Sequence, residues 1–242
     1  MRIDVFTLFP ELISGYCGVS LLGKAMRENV ISINLHDIRD YGLGAHRSVD
    51  DEPYGGGAGM IMRCEPIFDA VNSVKELKRP LFLLSPTGKK FDQKMARQLS
   101  NTNGFSMICG RYEGFDERIA EHLADEELSV GDFVLAGGEL GALVVIESVA
   151  RLLAGFMGNG ESVIEESFSN DLLESPQYTR PAVYSGFGVP KVLTEGDHAK
   201  IKRYKTAAAL YKTIKSRPDL IELRGGLSDE EQNLINEFLT DL

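Results

Sequence analysis

The sequence predicts an α/β fold with a mainly parallel sheet, helices on both of its faces and a small helical C-terminal domain. Through the first two-thirds of the 242 residues, short runs rich in Ile, Val, Leu and Phe alternate with segments whose apolar residues recur at helical spacing. Parallel strands need a crossover connection, which is usually a helix. This alternation therefore favours a mainly parallel sheet.

The predicted strands are short and apolar: Ile3–Phe9, Ile31–Leu35, Leu81–Leu84, Ser106–Ile108 and Phe133–Leu135. The predicted helices between them are Val19–Asn29, Glu65–Leu77, Phe91–Leu99 and Phe115–Leu123. A longer helix, Glu139–Leu153, carries apolar residues around most of its circumference. Such a helix is buried on several sides, in a core or at a subunit interface.

The character of the chain changes after Gly155. Two further glycines, Gly158 and Gly160, interrupt the helix, and residues 161–175 are polar and acidic. Helical patterns return over Lys200–Lys215 and Ser228–Leu239, and the second begins with a capping-box pattern. We expect an α/β domain over residues 1–158, a flexible linker over 159–174 and a mainly helical domain over 175–242.

Composition restricts the function classes. The net charge of −10 argues against a general affinity for nucleic acid. Residues 198–218 nevertheless contain seven Lys or Arg and no acid, so they form either a nucleic-acid contact or a solvated helix face. Three well-separated cysteines give neither a disulfide framework nor a Cys-x-x-Cys metal site. No membrane-span length or secretory leader is evident, so we expect a cytoplasmic protein without membrane contact.

Three glycine-rich loops follow predicted strands, at Leu84–Gly88, Gly110–Gly114 and Val130–Glu139. In open α/β sheets, ligands bind beyond the carboxyl ends of strands. The loops bring no cluster of Lys or Arg, and neither a complete P-loop nor a dinucleotide fingerprint occurs in the chain. We therefore predict a small ligand that contains adenosine but lacks a polyphosphate, and that is contacted mainly through backbone groups.

Four segments, in order along the chain, resemble the bacterial tRNA (guanine-N1)-methyltransferase family: Val49–Met60, Cys109–Gly114, Ser129–Glu139 and Ser175–Pro181. The resemblance runs nearly end to end. It implies methyl transfer from S-adenosylmethionine to N1 of the guanosine at tRNA position 37, beside the anticodon. It also implies a deep trefoil knot, a homodimer with its active site between subunits, and magnesium during catalysis at a site that remains unknown.

The resemblance also assigns residues to the two substrates. Those implied for S-adenosylmethionine are Leu84, Ser85, Pro86, Gly110, Tyr112, Glu113, Gly114, Val130, Gly131, Asp132, Phe133, Val134, Leu135, Gly137 and Gly138. Those implied for tRNA are Asp50, Gly59, Tyr178, Arg180, Gly196, His198, Lys202 and Arg203. In addition, Tyr178 and Tyr204 offer rings on which unpaired bases could stack.

By motif position, the family's catalytic carboxylate falls on Glu166 and its arginine on Arg151. The carboxylate removes the N1 proton of guanine, and the arginine stabilises the charge that develops on O6. The family pattern has Asp where this chain has Glu166, so neighbouring Glu165 remains a rival. Glu113 is a further catalytic candidate and a candidate for the metal.

Two other readings stay open at this point. One is an RNA-binding protein of the same fold that has lost catalysis, because the family's Asp is replaced. The other is an α/β enzyme that acts on a small metabolite and whose basic C-terminal segment is only a helix surface.

Overall fold

The computed structural model of the protein describes residues 1–157, 166–168 and 171–239. The chain divides into two compact units, residues 1–158 and 159–242. The predicted breaks at Gly158 and Gly160 and most of the predicted linker lie outside the described residues. Within the described part of the chain, no helix is long and apolar enough to cross a bilayer.

The first unit contains a five-stranded parallel sheet. The strands of the whole unit are β1 (Arg2–Thr7), β2 (Ser32–Asp37), β3 (Asp50–Asp51), β4 (Ile61–Met62), β5 (Leu81–Lys90), β6 (Gly104–Ile108) and β7 (Glu126–Ser129). The large sheet has the order β2-β1-β6-β5-β7, and all of its pairs are parallel. The short strands β3 and β4 form a separate antiparallel pair.

Helices cover both faces of this sheet. They are α1 (Pro10–Cys17), α2 (Ser20–Arg27), α3 (Cys64–Asn72), α4 (Gln93–Ser100), α5 (Glu117–His122) and α6 (Glu139–Ala150). Helices α1, α2, α4 and α6 share one apolar core, whereas α3 and α5 share another on the opposite face. The predicted α/β class, with a mainly parallel sheet and helices on both faces, is confirmed. The knot stays a prediction.

Successive side chains of β1 point to opposite faces of the sheet, so this strand contributes to both cores. Ile3 and Val5 point into the first core, and Phe6 points into the second. Asp4 is fully buried beside His36 on the neighbouring strand, with its Oδ1 2.9 Å from the imidazole Nε2. Burial acts to raise the pKa of Asp4, but hydrogen bonds from His36, Arg2 and Asn34 outweigh it and keep the pKa below its ordinary value.

One predicted strand is wrong. The run Phe133–Leu135 forms an exposed loop, and the last strand of the sheet is instead β7, Glu126–Ser129. Strand β7 begins with two acidic residues, Glu126 and Glu127, so it does not stand out in the sequence as an apolar run. Pairing with β5 and burial of Leu128 and Ser129 define this strand, and neither is visible in local composition.

The second unit is mainly helical over its described residues. It contains α7 (His198–Ser216), α8 (Pro218–Leu223), α9 (Asp229–Glu237) and a hairpin of β8 (Val183–Tyr184) and β9 (Phe187–Gly188). Its core contains Val192, Tyr204, Ala207, Ala208 and Phe238. The predicted capping box at the start of α9 is confirmed: Ser228 and Glu231 bond each other's backbone N–H groups.

Candidate active site

A cleft of about 360 Å³ opens in the first unit, at the carboxyl ends of β5, β6 and β7. The three predicted glycine-rich loops line it together. The first loop, Leu84–Gly88, lies within β5 and arises from an irregularity in pairing, because Leu84 and Lys89 both stand opposite Leu128 and the residues between them leave the ladder. The sheet therefore positions all three loops at one edge, as expected for a ligand site in an α/β fold.

The structure brings together all but one of the residues that the resemblance assigns to the cofactor. Asp132 is the exception: it does not line the cleft, its side chain is 92% exposed, and its carboxylate lies 3.7 Å from the ammonium group of Lys90. Thr87, within the predicted loop Leu84–Gly88, and Glu127, which the sequence analysis did not identify, also line the cleft. The Thr87 hydroxyl donates to the Glu127 carboxylate over 2.7 Å. Glu127 belongs to the missed strand β7, so no local signal could have found this pair.

An ion pair between a half-buried guanidinium and a buried carboxylate connects two of the loops. Arg111 follows β6, and its Nη2 lies 2.9 Å from Oε2 of Glu139, the first residue of α6. Glu139 is buried, and its other oxygen accepts a 2.7 Å hydrogen bond from the Thr7 hydroxyl at the end of β1. One carboxylate therefore links β1, the loop after β6 and the start of α6.

The Arg111 side chain also contacts groups other than the carboxylate. Its guanidinium lies 4.4 Å from the centre of the Phe9 ring, and its Nη1 donates to the carbonyl of Ala136. The side chain lies directly over Gly137, where a Cβ would come within 2.3 Å of the arginine Nε. The Arg111 side chain therefore packs against the third loop, Val130–Glu139, and supports it.

Close approach explains why glycine occupies two cleft positions. A Cβ on Gly138 would stand 2.8 Å from the Cα of Cys109, and one on Gly110 would stand 2.6 Å from the Phe115 ring. Gly110 does not lie in the left-handed region, whereas Gly114 does, with φ +121°. Space, and not backbone conformation, excludes a side chain at Gly110.

The ionisable groups of the cleft give it a negative character. Four carboxylates line it, from Glu113, Asp116, Glu117 and Glu127. The positive charge of Arg111 faces Glu139. Hydrogen bonds from Arg118 hold the pKa of Asp116 well below its usual range, so this carboxylate is ionised at neutral pH.

Cys109, beneath the second loop, is no nucleophile. Its side chain is completely buried, and burial together with the nearby Glu139 charge raises its pKa well above the ordinary value. The thiol is therefore protonated at neutral pH, and the thiolate is the reactive form of cysteine.

Glu113 lies at the exposed rim, where the second loop meets the segment before β4. Its backbone N–H donates to the carbonyl of Met60, and its side chain covers Gly59, where a Cβ would approach within 2.4 Å of the Glu113 Cγ. Asp50, also assigned to tRNA, pairs with Met62 in the β3–β4 ladder. The segment Asp50–Met62 therefore packs beside the cleft loop.

Arg151 lies away from the cleft of its own chain. It caps the C-terminal end of α6 with helical backbone angles, whereas Glu139 at the other end adjoins the cleft. At about 1.5 Å per residue, twelve residues separate the two ends by about 18 Å. Arg151 is not among the residues that line the cleft.

Arg151 shares a helical stripe with exposed apolar side chains. Leu140, Val144, Glu147 and Arg151 lie at i, i+4, i+7 and i+11, which is one face of α6. Leu140 is 62% exposed and Val144 48% exposed. The Glu147 carboxylate raises the pKa of the Tyr16 hydroxyl, which places α1 beside this stripe.

The second unit contains the remaining residues assigned to tRNA. Tyr178, Arg180, Gly196, His198, Lys202 and Arg203 are all exposed. Arg203 forms an ion pair with Glu237. Tyr204 is not available for stacking, because it is buried in the core with its ring edge-on to Phe238. The tyrosine falls on the inner face of α7, which composition alone did not distinguish.

Glu166 belongs to the second unit, where it is half-buried in the short described segment 166–168. Ser167 in that segment accepts a hydrogen bond from the backbone N–H of Glu174. The rival carboxylate, Glu165, lies outside the described residues.

Among the residues that the structure does describe, no group of three or more His, Cys, Asp or Glu side chains is placed to hold a metal ion.

Comparison with known proteins supplies the family. The family described as tRNA (Guanine-1)-methyltransferase TrmD matches residues 1–223. The chain belongs to this family. A tRNA (guanine-N(1)-)-methyltransferase of Dehalococcoides mccartyi is 47% identical over 244 residues, covering 100% of this chain and 98% of the relative. Proteins of the same name from Listeria innocua and Listeria monocytogenes are each 45% identical, over 242 and 243 residues, covering 98% of both chains in each comparison.

Proposed function

We propose that the protein is a cytoplasmic tRNA methyltransferase that transfers a methyl group from S-adenosylmethionine to N1 of guanosine 37. Membership of the tRNA (guanine-1)-methyltransferase family carries this proposal. The reaction consumes a methyl donor, so the chain must hold a methylated sulfonium compound and an RNA base together. The cleft and the exposed surface of the second unit supply candidates for the two sites.

The cleft residues fit S-adenosylmethionine in space and in charge. Glycines at positions 110, 137 and 138 leave backbone exposed to a ligand. The four cleft carboxylates suit a ligand that carries a sulfonium and an ammonium group, and they disfavour a polyphosphate. S-adenosylmethionine supplies an electrophilic methyl group when it is bound. The residues of the cleft orient it and exclude water.

Glu166 and Arg151 are proposed to act on the guanine. Neutral N1 carries a proton, which the Glu166 carboxylate removes as a general base; such catalysis contributes roughly 10²–10⁴-fold in rate. Negative charge then shifts towards O6, where the Arg151 guanidinium donates hydrogen bonds to it. Glu113, at the rim of the cleft, stays a candidate for assisting this chemistry or for holding magnesium.

A homodimer accounts for the position of Arg151. Its own cleft lies at the opposite end of α6, about 18 Å away by helical rise. The exposed stripe of Leu140 and Val144, beside Leu12 and Tyr16 on α1, is an apolar surface that a second copy would cover. Because Arg151 lies on that stripe, a two-fold contact brings it towards the partner's cleft, and each active site would use both chains.

The proposed function predicts methyl transfer to unmodified tRNA. Transcripts with guanosine at position 37 should accept a radiolabelled methyl group, whereas the same transcripts with adenosine at that position should not. Nuclease digestion and mass spectrometry should locate the methyl on N1. Tight tRNA binding without transfer would indicate a non-catalytic RNA-binding protein. Absence of both would favour an enzyme that acts on a small metabolite.

The assignment of Glu166 predicts a loss of rate without a loss of binding. Glu166→Gln should lose at least 10²-fold in single-turnover methyl transfer, because the nearly isosteric amide cannot take the proton. Glu166→Asp should remain active, since it restores the family's residue. Cofactor and tRNA affinities should stay within about twofold in both variants. Wild-type rates from Glu166→Gln, together with an inactive Glu165→Gln, would transfer the role to Glu165.

The shared active site predicts complementation between inactive chains. Arg151→Ala and the cleft variant Gly138→Val should each be nearly inactive alone. After subunit exchange, a mixed dimer has one site that combines an intact cleft with an intact Arg151. An equimolar mixture should therefore recover roughly one quarter of wild-type activity by random pairing. Verified exchange without recovery would place each site within a single chain.

A further inference from the structure

An aromatic hairpin in the second unit has no role in the proposed catalysis. Strands β8 and β9 are joined by Ser185 and Gly186, both with positive φ, as in the two-residue turns that match the twist of a hairpin. Tyr184 and Phe187 stand directly opposite each other and are 73% and 80% exposed. Residues that face each other across a ladder lie on the same side, so the two rings form one surface.

These rings do not belong to the core of their unit. That core is built around α7 and contains Tyr204 and Phe238, and neither hairpin ring packs against it. Val183 precedes Tyr184 and therefore points to the opposite side of the hairpin. Exposed aromatic side chains that adjoin one another indicate a binding surface more often than a structural need.

The base of the hairpin adjoins an open cavity. The backbone N–H of Val189 donates to the carbonyl of Ala182 over 2.9 Å, which closes the hairpin. Both residues line the cavity, together with Tyr178, Thr179, Arg180, Leu193 and Thr194. The cavity thus presents an aromatic ring, a guanidinium fork and two hydroxyl groups beside the aromatic hairpin.

The segment that contains the hairpin lacks acidic residues. Residues 175–194 contain no Asp or Glu and include Arg180 and Lys191, although the chain as a whole has a net charge of −10. Aromatic rings interleaved with basic and hydroxyl groups are the chemistry that recognises unpaired bases. A partner that binds through its own Lys or Arg side chains would need acidic residues on this surface, and residues 175–194 contain none.

We propose that Tyr184 and Phe187 form a stacking platform for unpaired bases of the tRNA substrate, beside a cavity in which Arg180 contacts the RNA backbone. This inference rests on the proposed function, because it assigns a surface to the same substrate. Stacking is sequence-tolerant and independent of phosphate charge, whereas an arginine contact to phosphate releases counterions. The two kinds of contact therefore respond differently to salt.

The test compares the double variant Tyr184→Ala/Phe187→Ala with Val183→Ala, a control on the opposite side of the hairpin. Binding of a fluorescent, unmodified tRNA transcript is measured by anisotropy at several salt concentrations. The double variant should bind 10- to 100-fold more weakly with an unchanged salt slope, and the control should bind as the wild type does. Arg180→Ala should instead lower the slope, by roughly one in log–log units. Tyr184→Phe/Phe187→Tyr should restore affinity because it keeps both rings.

Three results would overturn the platform. If the wild type binds tRNA and the double variant binds it equally well, the hairpin does not contact RNA, while the proposed function stands. If the double variant instead weakens self-association in sedimentation without lowering tRNA affinity, the rings contact a second copy of the chain. A wild type that binds no tRNA would reject the proposed function and the platform together. Cofactor titration of each variant verifies that the cleft is intact.

Discussion

The ion pair between Arg111 and Glu139 is the interaction on which the cleft depends. It joins the loop after β6 to the start of α6, and Thr7 extends the link to β1. A carboxylate at a helix N-terminus is favoured by the helix dipole, and a charge-assisted pair offsets part of the cost of burial. Removing one partner of such a pair typically costs about 3–5 kcal/mol, because the other charge is left buried.

The same pair determines the electrostatic character of the cleft. Glu139 faces the only guanidinium that lines the described cleft, and Arg118 pairs with Asp116, so the carboxylates of Glu113, Glu117 and Glu127 give the cleft its negative charge. The proposed ligand is a sulfonium compound, and this arrangement suits it better than it suits a nucleotide. The two groups proposed to act on the guanine do not line this cleft: Glu166 belongs to the second unit, and Arg151 lies at the far end of α6. The distance between Arg151 and the cleft of its own chain is the physical reason for proposing a dimeric site.

Features that depend on residues close together in the sequence could be predicted, whereas features that depend on contacts between distant segments could not. The alternation of strands and helices predicted the sheet, and the three glycine-rich loops predicted the cleft, although the third loop follows β7, a strand that was not predicted. Ser228 and Glu231 identified the start of α9, since a capping box is a local interaction. The strand β7 was missed because its evidence is burial and pairing with β5. Tyr204 was misassigned because only the packing of α7 against α9 shows which face is buried. The partner of Arg111, Glu139, lies 28 residues away along the chain, so the spacing of residues could not reveal the ion pair.

A double-mutant cycle on Arg111 and Glu139 tests the central claim most directly. Arg111→Met, Glu139→Leu and the double variant are compared for their free energy of unfolding in urea and for S-adenosylmethionine affinity by calorimetry. The account predicts that each single variant loses about 3–5 kcal/mol of stability and most cofactor affinity, and that the double variant loses clearly less than the sum. Additive losses with wild-type cofactor affinity in all three variants would show that the pair does not organise the cleft.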